Sequence, residues 1–237
     1  MYAVISDVHS NFEALSAVLE EIERLCIKDI ICAGDIIGYG PSPEECIDAL
    51  FGRNFHSVLG NHDALVTGRL ERCVVNDCAL KCADLNDAAM SQDKKRHLKK
   101  LKPSMVLDDM LVVHGKPIDD FIYYIHYNDD ASRSFLDFDH RLCVIGHTHV
   151  PSVFAYAGNA SLRVSGDFVE LKDGFRYILN PGSVGQPRDS DARASFGVLG
   201  DDYFKINRVH YDVDSTVKKL KDNCYPEFVY ERLKGGF

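Results

Sequence analysis

No hydrophobic run in this chain approaches the ~20 residues a membrane-crossing helix requires. The chain opens on the strand-like segment Tyr2 to Ser6 without a basic leader region, so a cytoplasmic rather than secreted protein is expected. Positive charge is also in short supply. With 27 Lys and Arg against 36 Asp and Glu, the net charge is −9, which argues against a partner such as duplex nucleic acid that is held by its backbone. A small phosphorylated partner remains open. None of the eight cysteines forms a CxxC pair, so a disulfide scaffold is excluded and reduced thiols are expected. Cys73, Cys78 and Cys82 merit comparison with a zinc cluster, but Cys78 and Cys82 at helical spacing among Ala and Leu read better as the buried face of a helix. Missing too are a GxSxG elbow, a glycine-rich phosphate loop after the first strand, and the second acid that an aspartyl phosphotransferase would carry two positions beyond Asp7. No repeat or low-complexity linker marks a boundary within residues 1–237, so a single domain is expected, of monomeric or homodimeric state.

What the chain does contain is ordinary globular material, 46% hydrophobic and 27% charged. Short apolar runs alternate with amphipathic segments, the pattern of a mainly parallel sheet with crossover helices. Strands are predicted at Tyr2 to Ser6, from Asp29, at Phe55 to Leu59, at Met110 to Val113 and at Leu142 to Ile145. Ser10-Asn11-Phe12-Glu13 reads as a capping box opening a helix with Phe12, Leu15, Val18, Leu19, Ile22 and Leu25 on one face. Ser42-Pro43-Glu44-Glu45 should start a second helix. Residues 64–102 read as polar and helical, with Ser91 as an N-cap and the basic run from Lys94 to Lys102 as a solvated face. After Pro151, alternating strands with turn signals suggest an antiparallel second sheet. The last helix is expected at about 214–223, with the terminal Gly235-Gly236-Phe237 frayed.

The informative pattern is positional. Five apolar strands each run straight into residues able to bind a metal: Asp7 and His9, Asp35, Asn61 and His62, His114, and then His147 and His149. In open α/β sheets ligand sites gather beyond the carboxyl ends of strands, so these residues should converge. Gly34, Gly60, Gly115 and Gly146 stand at the same junctions, where a missing Cβ permits sharp bends and close approach. Turn chemistry alone would account for any one junction, but it does not call for histidine at four of them. Two carboxylates, four imidazoles and one amide form a mixed nitrogen and oxygen set suited to Mn²⁺, Fe²⁺, Co²⁺, Ni²⁺ or Zn²⁺ rather than Ca²⁺. Seven ligands exceed the needs of one such ion and suit two ions about 3.5–4 Å apart.

The ordered segments DVHSN, GDIIGYG, GNHD, VVHG and GHTH resemble the calcineurin-like metallophosphoesterase superfamily, closest to its small bacterial and archaeal phosphodiesterases. The resemblance spans about Tyr2 to Arg193. It implies an α/β (α+β) fold of four layers, a β-sandwich of two mixed sheets flanked by α-helices. It also implies that Asp7, His9 and His149 hold one metal, that Asn61, His114 and His147 hold the other, and that Asp35 bridges them. His62 would contact the phosphate and stabilise or protonate the leaving oxygen. The segment Asn180 to Asp189 resembles a stretch of the same branch and offers Arg188 as a phosphate clamp. Asn11 either orients a group of the site or simply begins the helix. Asp63 either orients His62 or opens a helix of its own. His126 with Tyr123, Tyr124 and Tyr127, within the segment 116–140, either line a substrate pocket or pack in the core.

The expected chemistry is therefore hydrolysis of a phosphate ester by in-line attack of a metal-bound hydroxide on a small phosphorylated substrate, most simply a diester with Mn²⁺ as the ion. A phosphomonoesterase or nucleotidase on the same site, and a non-catalytic metal-containing binding module, are the alternatives.

Overall fold

The computed structural model describes residues 1–118 and 122–237. The first strand shows how the layers arise. In β1 (Tyr2–Ile5), successive side chains point to opposite faces, so Ala3 and Ile5 meet one layer and Val4 another. The neighbouring β2 (Asp29–Cys32) repeats the alternation, with Ile30 and Cys32 on one side and Ile31 on the other. With both faces covered, the near-continuous apolar character of these strands is the expected consequence.

Ala3, Ile5, Ile30 and Cys32 face helix α1 (Phe12–Arg24) and helix α2 (Pro43–Phe51). The buried stripe of α1 comprises Ala14, Leu15, Val18, Leu19 and Ile22, one face of a 3.6-residue period. The cap of α1 differs from expectation. Asn11, not Ser10, is the N-cap, its Oδ1 accepting from the Ala14 N–H at 3.2 Å, while the Ser10 hydroxyl donates to Asn86 instead. Ser42 precedes α2 as expected, though its side chain makes no capping bond. Next come β3 (Asn54–Ser57) and helices α3 (Asn61–Val66), α4 (Asp77–Ala89) and α5 (Gln92–Lys99). The basic run on α5 is spent on exposed ion pairs, Lys94 with Asp48, Lys95 with Asp87 and Arg96 with Asp93. Cys82 is buried on α4, Cys78 is half-buried and Cys73 exposed, and no cysteine joins a metal-type cluster among the described residues.

The second half supplies β4 (Ser104–Leu107), β5 (Met110–Val113), α6 (Asn128–Ser134), β6 (Leu142–Val144), β7 (Ser152–Tyr156), β8 (Ser161–Val164), β9 (Phe168–Glu170), β10 (Arg176–Asn180), β11 (Ala194–Leu199) and β12 (Tyr203–Val209). Two mixed six-stranded sheets result, ordered β3-β2-β1-β11-β12-β9 and β4-β5-β6-β10-β7-β8. The late strands thus do not make a sheet of their own. β7, β8 and β10 extend the second sheet, while β9, β11 and β12 return to the first, with β11 antiparallel to β1. Alternation identifies a strand but not which of two sheets receives it. Val4, Ile31, Val112, Val144, Val153, Leu179 and Phe204 fill the space between the sheets, and α6 with Phe135 covers the outer face of the second.

The chain closes with α7 (Val213–Asp222) and α8 (Glu227–Gly235). α8 overturns the expectation that the helix at about 214–223 is the last one: Val229 and Leu233 are buried against Tyr39 and α4. No described helix is long and apolar enough to cross a membrane.

Phe154 on β7 is fully buried, whereas Leu136 just beyond α6 is 77% exposed. Phe154→Ala should cost about 3–5 kcal/mol in urea unfolding, and Leu136→Ala less than about 0.5 kcal/mol, with unchanged slopes.

Candidate metal centre

Within the first sheet β1, β2 and β3 run parallel, as do β5, β6 and β10 within the second. The loops leaving their carboxyl ends meet at one edge of the sandwich. The Asp7 N–H donates to the Gly34 carbonyl at 3.0 Å, the His9 N–H to the Asp35 carbonyl at 3.0 Å, and the Gly146 N–H to the His114 carbonyl at 2.9 Å. The His147 N–H donates to Asp7 Oδ2 at 3.0 Å and so joins the two sheets directly.

Close approach imposes unusual backbone. Asp7, His9, Asp35, His147 and His149 all have positive φ, between 49° and 67°, a region that L-residues with side chains avoid at a cost of about 1–3 kcal/mol each. Gly34, at φ +96°, relieves one such turn, and a Cβ there would lie 2.8 Å from the Gly60 nitrogen.

Six of the seven expected ligands are buried, and Asn61 is partly exposed. Asp7, His9 and His149 offer ligand atoms within 4.8 Å of one another, as do Asp35, His114 and His147. Asp7 Oδ1 lies 3.2 Å from His149 Nε2 and 3.7 Å from His9 Nε2. Asp35 Oδ2 lies 3.2 Å from His114 Nε2 and 3.7 Å from His9 Nε2, so Asp35 touches both groups. Asn61 Oδ1 is 2.9 Å from His114 Nε2. Neither Asp7 Oδ1 nor Asp35 Oδ2 accepts a hydrogen bond.

The rings are oriented from behind. Nδ1 of His9, His114 and His149 faces the carbonyl of Ile37, Ala33 and Gln186 at 3.2, 2.7 and 2.6 Å. A carbonyl can only accept, so each Nδ1 carries hydrogen; His9 and His149, kept neutral by burial, direct an Nε2 lone pair inward, and His114 would do so on losing its Nε2 proton. His147 is reversed, with Nε2 on the Ile122 carbonyl at 3.2 Å. At 3.1 Å, the Nε2 atoms of His9 and His149 then oppose lone pair to lone pair, an arrangement that a cation relieves. Buried carboxylate oxygens without donors and inward imidazole lone pairs fit divalent transition-metal ions.

Charge is balanced within the cluster. Burial works to raise the pKa of Asp7 and Asp35, but His149 for the first and His114 with His62 for the second outweigh it and hold both well below the usual carboxylate range. His114 responds in kind: burial disfavours its charge, yet Asp35 and Asp7 push it up to about 9. Burial with the charge of His114 takes His147 down to about 3, and burial also lowers His9 and His149.

His62 sits beside the cluster, its ring edge-on to His9 with centroids 4.8 Å apart and its Nδ1 without a partner. Its N–H donates to Asp35 Oδ1 at 2.8 Å, and burial takes the ring pKa down to about 4. Asp63 does not orient this ring. Its carboxylate accepts from the Ile36, Ile37 and Gly60 N–H groups, so it opens α3 and fixes the loop bearing Asp35. Asn11 likewise stays away from the cavity, since its amide is spent on Ala14, Gly185, Tyr211 and Thr216 and the helix-opening reading holds.

A cavity of about 240 Å³ lies over the cluster, lined by Asp35, Asn61, His62, His147, His149 and, from the Asn180 to Asp189 segment, Arg188. Tyr39, Leu70, Val74, Val75, Asn76, Ala79 and Ile122 also line it. Of the aromatic residues singled out between VVHG and GHTH, only Tyr124 lines it, stacked on His147 with centroids 4.0 Å apart. Tyr123 and Tyr127 are exposed, and residues 119–121 of that segment lie outside the described residues. Sequence reasoning missed Tyr39, whose ring packs 4.5 Å from His62, though its place between Gly38 and Gly40 in GDIIGYG was a usable signal. It also missed Asn86, which supports the loop from α4 and stands in no motif.

A model of the calcineurin-like phosphoesterase superfamily domain matches residues 1–200. An uncharacterized protein of Methanocaldococcus jannaschii is 35% identical over 240 residues, covering 98% of this chain and 97% of that protein. The crystal structure of a metallophosphoesterase from Sphaerobacter thermophilus superposes with a TM-score of 0.86 at 36% identity, covering 100% of this chain and 98% of the other. A hypothetical protein from Pyrococcus horikoshii OT3 shares the fold, with a TM-score of 0.82 at 20% identity over 100% of this chain and 99% of that one. Motif order, converging residues and matched relatives agree: the chain belongs to the calcineurin-like phosphoesterase superfamily.

Proposed function

We propose that this protein is a phosphodiesterase dependent on two divalent transition-metal ions, Mn²⁺ foremost, with a small phosphorylated substrate. The observation that carries the reading is the pair of buried carboxylate oxygens, Asp7 Oδ1 and Asp35 Oδ2, which no donor satisfies and which imidazole nitrogens surround. Asp7, His9 and His149 would hold one ion and Asn61, His114 and His147 the other, with Asp35 shared because it reaches both groups. Bound there, such ions supply a water of lowered pKa and positive charge for the phosphoryl oxygens.

The chain's own residues do the rest. His62, with its pKa taken down to about 4, is neutral near pH 7 and acts as a hydrogen-bond donor to a phosphate oxygen rather than as a full charge. Arg188 presents a guanidinium fork to the same cavity. Tyr124 packs on His147 and keeps that ring in place. The apolar side chains Leu70, Val74, Val75 and Ala79 of the lining give an organic substituent a surface to leave water for, which favours a diester over a simple monoester.

Protein loaded with Mn²⁺ should hydrolyse bis(p-nitrophenyl) phosphate, and an inert loaded protein would overturn the reading. Asp35→Asn should reduce kcat/KM by more than about 100-fold and lower bound metal from close to two ions per chain by elemental analysis, since even partners behind a ligand are worth that much. His62→Ala should leave metal content unchanged while kcat falls about 10²–10³-fold, the scale for one lost transition-state donor. Chelation should lower Tm, and restoring Mn²⁺ at about 100 times its Kd should return about 2.7 kcal/mol of stability, read by thermal unfolding.

A further inference from the structure

The superfamily match ends at residue 200, yet the chain continues into α7 and α8, and α8 brings another cation toward the cavity. Arg232 stands between Val229 and Leu233, whose side chains pack into one cluster with Tyr39, Ala79 and Cys82. Tyr39 and Ala79 also line the cavity. Just past α8, the Gly236 carbonyl accepts from the Ser190 N–H at 2.7 Å, two residues beyond Arg188. The segments carrying Arg188 and Arg232 are thus fastened to each other. Arg188 lies with its guanidinium carbon 5.8 Å from the Tyr39 ring centroid.

Among the described residues, neither guanidinium ion-pairs with a carboxylate, whereas Arg193 and Arg208 beside them pair with Asp191 and Asp189. The Nε of Arg188 and the Nε of Arg232 are both buried without an acceptor. Arg188 spends one N–H on Gln186 Oε1 at 2.9 Å, and Arg232 lays its face on Phe228 at 4.4 Å, a contact that leaves its N–H edge free to meet an acceptor. Like charges so placed oppose each other: burial, then the charge of Arg188, lowers the pKa of Arg232. Arg188 also lines the cavity with His62 and His149. In a chain of net charge −9, two guanidiniums on fastened segments with no carboxylate partner among the described residues call for an anion.

We infer that Arg232, together with the outer edge of Arg188, clamps a second phosphate of the substrate, separate from the phosphate that reacts beside Asp7 and Asp35. The substrate class is then an ester carrying two phosphate groups, and this rests on the phosphoesterase reading. A guanidinium fork matches phosphate oxygens two at a time, which a lysine at the same position would not.

The test is isothermal titration of the full-length chain, freed of metal by dialysis, with inorganic pyrophosphate at low salt. Wild type should bind one pyrophosphate per chain, Arg232→Gln should raise Kd at least tenfold, and Arg232→Lys should fall between them. Absence of saturable binding by wild type overturns the clamp, as does equal affinity in wild type and Arg232→Gln. Bis(p-nitrophenyl) phosphate has no second phosphate group, so its hydrolysis by loaded enzyme reports separately: activity without a pyrophosphate site removes only the clamp, and a pyrophosphate site on inert protein removes the phosphoesterase reading and with it the assignment to a substrate, leaving an anion site at Arg232.

Discussion

Two ionised carboxylates withdrawn from water are the constraint around which this molecule is arranged. Asp7 and Asp35 are fully buried, and each leaves one oxygen without a donor. Burying an unpaired carboxylate is prohibitive, so the surroundings must compensate it, and the fold surrounds the pair with imidazoles, of which His114 is the one held protonated near neutral pH. Each ring is aimed by a carbonyl from another loop, which is why backbone from both sheets must come within hydrogen-bonding distance at one edge. Left-handed backbone at five of these positions is what that convergence costs, and packing of the four layers offsets it.

This division of labour explains why the sandwich is built from mixed sheets. Parallel strands β1, β2 and β3, and likewise β5, β6 and β10, bring several loops to one edge. Antiparallel β11 and β12 extend the first sheet without adding ligands to the cluster. Their task is to bury apolar surface, through Phe196 and Phe204 above all.

The candidate metal centre was legible in the sequence because its residues are chemically distinctive and follow apolar strands directly. Asp7, His9, Asp35, Asn61, His114, His147 and His149 needed no knowledge of loop geometry to be grouped, only the rule that strand ends converge. The supporting residues were not legible in the same way. Asn11 and Asp63 are each a polar residue at a helix start, and only the partners of their side chains separate capping from orienting a site group. Partition of the late strands between two sheets depends on long-range pairing that alternation does not encode. α8 escaped notice because its apolar content is modest, and its burial depends on contact with α4 and Tyr39, remote in the chain.

Asn86 shows how tightly such remote support is specified. Its Oδ1 accepts from the Ser10 hydroxyl and the Gly38 N–H, and its Nδ2 donates to the Gly40 carbonyl and the Tyr225 hydroxyl. All four bonding positions of one short amide are occupied, half as donor and half as acceptor. Aspartate has the size but no hydrogens to give, and leucine has the shape but neither polarity. One interior amide therefore sets the spacing between the His9 turn, the Tyr39 turn and the carboxy-terminal helices, and few alternative side chains could occupy its place.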